Sequence, residues 1–271
     1  MKTLYVSDLD GTLLQSNAKI SEYTNRTING LIEKGMLFSY ATARSYLTAC
    51  KVTAGLRTDI PLVVYNGAAL VDGGDGSPMR KNFFGGEIGE VLTDLFANDV
   101  YPIVYAFLDG EEKFSYIPAR CTSGMDAFLE SRAGDRRTHP VADEDGLLQG
   151  EIFYLTCIDE REKLKPLYEK YREKYHCVFQ TEIYTKKQWL EIMPPEASKA
   201  HAITQLKNLL GCDRLVVFGD GENDRDMFEI ADEAYAVENA VAGLKNRATA
   251  VIGSNDSDGV ARWLEEHFQK G

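Results

Sequence analysis

Basic residues and soft metal ligands are scarce in this chain. Thirty lysines and arginines face 42 aspartates and glutamates across 271 residues, for a formal net charge of −12. That deficit removes the basic footprint that nucleic acids and anionic membrane surfaces require, so an anionic substrate must be drawn in by cations placed locally. The histidines (His139, His176, His201, His267) are dispersed without i, i+4 pairing and read as surface or structural residues. The cysteines (Cys50, Cys121, Cys157, Cys177, Cys212) are odd in number, widely spaced and without a CxxC pattern. They read as free thiols of a reducing compartment rather than as a disulfide framework or a zinc site. No apolar run approaches a membrane span, and Met1-Lys2 leads straight into a strand without the apolar stretch of a secretory signal. The expectation is a cytoplasmic chain with no membrane or nucleic-acid partner. Repeats and low-complexity tracts are also missing, so structured domains fill the sequence.

What the chain does have is acid at strand ends. The apolar run Leu4-Tyr5-Val6 enters Ser7-Asp8-Leu9-Asp10-Gly11-Thr12-Leu13, which sets two carboxylates two residues apart where a buried strand should stop. Strand side chains alternate, so Asp8 and Asp10 share a face, and Gly11 lets the chain turn away. Open α/β sheets bind ligands at this carboxyl edge. Two like charges so close resist joint ionisation, which calls for either a divalent cation or a shared proton.

Three later segments repeat the theme. The apolar run 36–41 leads to Thr42-Ala43-Arg44; Glu196-Ala197-Ser198-Lys199 stands at a helix start; and Leu215-Val216-Val217-Phe218 runs into Gly219-Asp220-Gly221-Glu222-Asn223-Asp224. In this order, DxDGT, a strand-end Thr, a Lys and GDGxND resemble the haloacid dehalogenase superfamily of phosphatases. The long stretch between Thr42 and Lys199 resembles the inserted α/β cap of its Cof-type subfamily, subclass IIB.

The pattern of elements agrees with two interleaved domains. Residues 1–79 alternate strand and helix through a third strand at 62–65, as in a parallel sheet. The first helix should span 21–34, with Ile28, Leu31 and Ile32 inward and Gly35 closing it. Asn66-Gly67 reads as a turn, and the glycine cluster at 72–76 reads as a loop, because no helix carrying a Lys follows it. From about Phe84 to Lys187 helices at 89–98, 124–131 and 161–174 are separated by strands, with a hairpin around Asp109-Gly110 and a last strand at 188–193. This suggests an α+β layer with helices on one face of a sheet and the other face open toward the catalytic edge. After Pro194-Pro195 the βα order resumes. The expected fold is therefore α/β, a doubly wound parallel-sheet Rossmann-like core (1–83 and 188–271) with an inserted α+β cap domain (84–187). Segments 82–86 and 186–188 are the expected hinges, with Glu182, Tyr184 and Arg120-Cys121-Thr122 as candidate substrate contacts.

The resemblance also implies a division of labour. Asp8 is the nucleophile, forming an aspartyl-phosphate, and Asp10 protonates the leaving oxygen and then deprotonates water. Mg²⁺ is the implied cofactor, held by Asp8 and Asp220 through side chains and by Asp10 through its backbone carbonyl. Asp224, one turn later, is the second choice for the metal, close enough to orient metal-bound water, with an acid favoured at a helix N-terminus as its other reading. Leu9, Thr42, Ala43, Lys199 and Asn223 fall at the phosphate-binding positions. Thr42 offers a hydroxyl, Ala43 a backbone N–H and Lys199 a fixed charge. Many relatives carry Gly where this chain has Ala43, which narrows the phosphate pocket or shifts the backbone there. Arg44 either meets phosphate or pairs with a core acid. The implied substrate is a small phosphorylated metabolite, sugar phosphates first, then pyridoxal phosphate, a flavin or a nucleotide monophosphate. A phosphotransferase or mutase using the same intermediate, and a non-catalytic phosphosugar-binding protein, are the alternatives. A signalling receiver would lack the inserted segment.

Overall fold

The computed structural model describes residues 1–181 and 187–268. Glu182, Tyr184 and Lys186, expected as substrate contacts and part of a hinge, lie outside the described residues. The chain divides into two compact units, one formed by residues 1–81 and 197–271 and the other by residues 82–196.

The first unit opens with β1 (Thr3–Ser7), α1 (Glu22–Glu33), β2 (Leu37–Tyr40), α2 (Tyr46–Val52), β3 (Leu62–Val64), β4 (Ala69–Val71) and β5 (Pro78–Lys81). Capping explains where the first helices begin. Ser21 and Ser45 each accept a hydrogen bond from the backbone N–H three residues on, satisfying donors the helix cannot. Helix α1 buries Ile28 and Leu31 and is followed by Gly35 at φ +99°.

The second unit comprises α3 (Ile88–Ala97), β6 (Ile103–Leu108), β7 (Glu111–Tyr116), α4 (Ser123–Glu130), β8 (Thr138–Pro140), α5 (Glu144–Leu147), β9 (Glu151–Asp159), α6 (Arg161–Tyr171), β10 (His176–Thr181) and β11 (Gln188–Met193). Its sheet runs β10-β11-β9-β6-β7-β8, antiparallel except for the β7–β8 pair. Alternation directs Val104, Ala106, Leu155, Cys157, Leu190 and Ile192 to one face, where they form a continuous core with Leu92, Leu95, Leu164 and Leu167 of α3 and α6. Part of the opposite face, which the strand-helix order had left open, is covered by α4. Phe128 of α4 meets Phe114 and Trp189 edge-on, and Gly124 lies so close to Ile158 that a Cβ would approach its Cγ2 to 2.5 Å.

The chain then returns through α7 (Lys199–Leu210), β12 (Arg214–Gly219), α8 (Arg225–Ile230), β13 (Glu233–Val237), α9 (Ala242–Lys245), β14 (Ala250–Ile252) and α10 (Gly259–His267). The core sheet is parallel throughout, in the order β14-β13-β12-β1-β2. Leu4 and Val6 of β1 and Val217 and Phe218 of β12 are fully buried, as central parallel strands covered on both faces must be. Strand order reverses between β1 and β12, so this sheet's switch point lies between the two strands that end in acid.

Two further expectations change. The return to the core does not fall at Lys187, because β11 pairs antiparallel with both β9 and β10 and belongs to the second unit, which ends at Glu196. The third strand is not a full member of the parallel sheet. β3 forms an antiparallel sheet with β4 and β5 and touches the parallel one through a single bridge, Ala41 to Val63. Among the described residues no helix is long and apolar enough to cross a membrane.

Candidate active site

Strand ends deliver the acids. Asp8 follows β1 directly, and its N–H donates to the Phe218 carbonyl at 2.9 Å, which extends the β1–β12 ladder by one rung. Asp220 follows β12. Gly11 turns at φ +81° with no room for a side chain, since a Cβ there would come within 2.4 Å of Asp220 Oδ2. The glycine of the DxDGT stretch therefore brings the two acidic loops into contact. Thr12, buried behind it, donates its hydroxyl to Asp220 Oδ1 at 2.9 Å.

Lys199 is the first residue of α7, whose N-cap Ser198 accepts from His201 N–H. A cation at a helix N-terminus opposes the macrodipole. Here two carboxylates outweigh it. Lys199 Nζ lies 2.6 Å from Asp8 Oδ1 and 2.7 Å from Asp224 Oδ1, and all three residues are buried. The other oxygen of Asp224 accepts from the N–H groups of Asp220 (2.9 Å) and Gly221 (3.0 Å). Asp224 thus holds the Lys199 ammonium and the GDG loop at once.

Asp8, Asp220 and Asp224 bring one carboxylate oxygen each to within 4.8 Å of one another. Burial drives the Asp8 carboxyl well above the usual carboxylate range; Lys199 opposes this, while Asp224, Asp220 and Asp10 add to it. Burial and Asp224 push Asp220 up to about 7, against the pull of the Thr12 hydroxyl and Lys199. For Lys199 burial acts downward, but contact with Asp224 and Asp8 prevails and holds its ammonium protonated.

Asp10 stands apart from this cluster by its side chain. Arg44 grips it in a bidentate pair, Nε to Oδ2 at 2.7 Å and Nη2 to Oδ1 at 2.6 Å. Of the two roles open to Arg44 from the sequence, the structure adopts the pairing with an acid. Four carboxylates then share two cations, Lys199 and Arg44, leaving two surplus negative charges. An all-oxygen donor set with that surplus suits a hard divalent ion such as Mg²⁺.

The residues expected on the phosphate side gather around the same edge. Thr42 is buried, and its hydroxyl accepts from Arg44 N–H at 3.1 Å. Ala43 sits between them, two residues before the Ser45 cap and so outside the helix proper. The Leu9 side chain is buried in the core, so only its backbone can face a ligand. Asn223 donates from Nδ2 to Asn66 Oδ1 at 3.3 Å.

Thr12 and Asn66 received no role from the sequence. Thr12 was visible as a small hydroxyl inside the motif, but Asn66-Gly67 carries the same signal as any hairpin turn. In the structure Tyr65, Asn66 and Gly67 all have positive φ (52°, 50° and 95°). For a non-glycine residue that conformation costs roughly 1–2 kcal/mol.

Known proteins resemble this chain over nearly its whole length. The family profile for haloacid dehalogenase-like hydrolases matches residues 5–264. The chain is 28% identical to the 5-amino-6-(5-phospho-D-ribitylamino)uracil phosphatase YwtE of Bacillus subtilis (strain 168), over 96% of each chain. It is 27% identical to YitU of the same organism, which bears the same phosphatase name, over 98% of this chain and 97% of that one. Among solved structures, TM0651 from Thermotoga maritima superposes with a TM-score of 0.78 at 25% identity, covering 99% of this chain and 98% of that one. The subclass IIB sugar phosphatase BT4131 shares the fold at 18% identity, with a TM-score of 0.77 over 98% of each chain.

Proposed function

The chain belongs to the haloacid dehalogenase-like hydrolase family, and from that membership we propose that it is a Mg²⁺-dependent phosphatase. In this reading it releases phosphate from small phosphorylated metabolites through an aspartyl-phosphate on Asp8. The observation that carries the reading is the buried Asp8–Lys199–Asp224 chain beside Asp220 at the sheet's switch point. A buried cation shared by one or two acids can be purely structural, but here three acids, Asp8, Asp224 and Asp220, crowd around the single cation Lys199. This cluster keeps extra acids in a desolvated place, which is unfavourable unless a cation and an anionic substrate use them.

Asp8 and Asp220 would hold the ion through side-chain oxygens, and when bound it supplies charge neutralisation for the transferring phosphoryl group. Asp224, both of whose oxygens are already engaged, supports from the side. Lys199 keeps Asp8 available as a carboxylate and meets phosphate oxygens together with Thr42, the backbone of Leu9 and Ala43, and the Asn223 amide. Asp8 attacks phosphorus as the bond to the leaving oxygen breaks. Asp10, whose two oxygens Arg44 holds as a carboxylate in the resting site, acts as general acid once it is released from Arg44 and has taken a proton from solvent. It gives that proton to the leaving oxygen and then takes one from the water that frees phosphate from Asp8. General acid-base help of this kind contributes about 10²–10⁴-fold.

For the substrate, a phosphate ester on a polyhydroxylated chain unites the phosphoribityl compound in the relatives' names with the sugar phosphates of BT4131. Sugar phosphates remain the first choice.

The test is phosphate release by the purified protein with Mg²⁺ from a panel of sugar phosphates, the phosphoribityl aminopyrimidine, pyridoxal phosphate and nucleotide monophosphates. Turnover should favour the polyhydroxylated esters and stop in excess EDTA. Asp8→Asn, a nearly isosteric change, should abolish it without unfolding the protein. Full activity in EDTA, labelled phosphate recovered on a residue other than Asp8, or transfer to a sugar hydroxyl without free phosphate would each overturn a stated part of this reading.

A further inference from the structure

We infer that Asn66 is a positioning residue of this site, acting through the side-chain amide of Asn223, and that the left-handed turn Tyr65–Gly67 locks the phosphate-binding loop, the start of α7 and Asn223 into one frame. The inference rests on the proposed role of Asn223 as a phosphate-facing amide.

The argument begins with backbone conformation. Three consecutive residues with positive φ are rare in a chain of L-residues, which visit this region singly. Asparagine tolerates it and glycine is indifferent, but a tyrosine does not adopt it without enforcement. Joining β3 to β4 accounts for positive φ at Asn66 and Gly67, which short hairpin turns favour, but not for the third such residue, Tyr65. Such outliers persist where surroundings over-determine them, and the surroundings here are the site itself.

Each residue of the turn reaches a different part. Tyr65 N–H donates to the Arg44 carbonyl at 3.0 Å, and Asn66 N–H donates to the Thr42 carbonyl at 2.9 Å. Gly67 presses against the entrance to α7, where a Cβ would lie 2.0 Å from the Ser198 carbonyl oxygen and 2.8 Å from Lys199 N. The Asn66 side chain, fully buried, accepts from Asn223 Nδ2. Arg44 in turn holds Asp10, and Lys199 holds Asp8. One three-residue turn therefore contacts three separate segments that carry the candidate chemistry. The amide–amide bond is made by a side chain of the turn, so Asn66→Gly removes it while the backbone contacts can stay.

Asn66→Gly keeps the backbone free to stay left-handed and deletes the amide. With p-nitrophenyl phosphate and Mg²⁺, kcat/KM should fall about tenfold, a loss on the scale of one buried hydrogen bond. Asn223→Ala should fall at least as far, and Asn66→Gly should cost nothing more in that background. A merely structural role for Asn66 would lower both backgrounds by the same factor, so equal losses, or an Asn66→Gly enzyme as fast as the parent, would overturn the inference. If Asn66→Gly does not fold, or the parent releases no phosphate, the amide bond is read directly in the parent protein by NMR. The Asn223 side-chain amide, assigned by its disappearance in Asn223→Ala, should be protected from solvent exchange. Exchange at the rate of a free amide would overturn the inference, whereas a protected amide in an inactive parent would point to failure of the phosphatase reading alone.

Discussion

Each unit of this protein buries a cation between two carboxylates, yet the two arrangements are built differently. In the second unit Arg137 donates to Asp135 through Nε (3.0 Å) and Nη2 (2.7 Å) and to Glu112 through Nη1 (2.6 Å), with its guanidinium 5.7 Å from the Phe114 ring centre. Asp135 is two residues away, and Phe114 N–H bonds the Arg137 carbonyl. This is a local clamp that fastens a loop to β7. In the first unit Lys199 finds Asp8 across 191 positions of sequence, at the ends of strands that assemble only when the sheet does. A clamp can form early and locally; the Lys199 cluster exists only in the finished sheet. The first kind fastens a loop, while the second concentrates charge at the carboxyl edge of a parallel sheet, where open α/β folds bind ligands.

The largest effect that separates them should come from Lys199→Met. Activity should fall about 10²–10³-fold, the usual loss when one electrostatic contact to a developing charge is removed. The folded state should lose about 3–5 kcal/mol, because two buried carboxylates lose their cation. An active, fully stable Lys199→Met protein would refute the division between the two clusters. Arg137→Met should cost comparable stability in denaturant melts while each folded molecule keeps its kcat within about twofold. If kcat collapses at unchanged stability, the second cluster is functional as well.

The pH dependence of the metal-free protein offers a smaller signal with a definite sign. Asp220, at about 7 in the folded protein against 3.8 for a free side chain, holds a proton there that the unfolded chain has released. Stability in EDTA should therefore fall as pH rises from about 4 to about 7, and Asp8, also raised, acts in the same direction. Lys199 is raised above an already high value, so its contribution stays constant across this window. Saturating Mg²⁺ should flatten or reverse the slope in thermal melts. A metal-free protein that gains stability over that range would contradict the charge surplus. Smallest of all, Thr12→Val should weaken Mg²⁺ binding about fivefold by titration calorimetry at pH 7. The hydroxyl it removes helps hold Asp220 as a carboxylate. Unchanged affinity would show that Thr12 serves packing alone.

Much of the site was legible because parallel strands advertise themselves. A fully buried strand reads as a continuous apolar run, and the polar residues just after it must lie at the sheet's edge; Asp8, Thr42 and Asp220 were found that way. The boundary at Lys187 went astray for the complementary reason. The run Trp189-Leu190-Glu191-Ile192 identifies a strand, but nothing in its alternation says which sheet it joins. Only the pairing with β9 and β10 decides that.

By itself the sequence determined that acids, a threonine and a lysine stand at the ends of core elements, because side-chain periodicity and helix caps are local properties of the chain. The tertiary structure alone decided that Arg44 turns to Asp10, that Asp224 spends both oxygens on Lys199 and the GDG loop, and that an Asn-Gly turn is bent left-handed against three other segments. Those choices are made among partners far apart in sequence, where burial and charge balance set the outcome and no spacing rule records it.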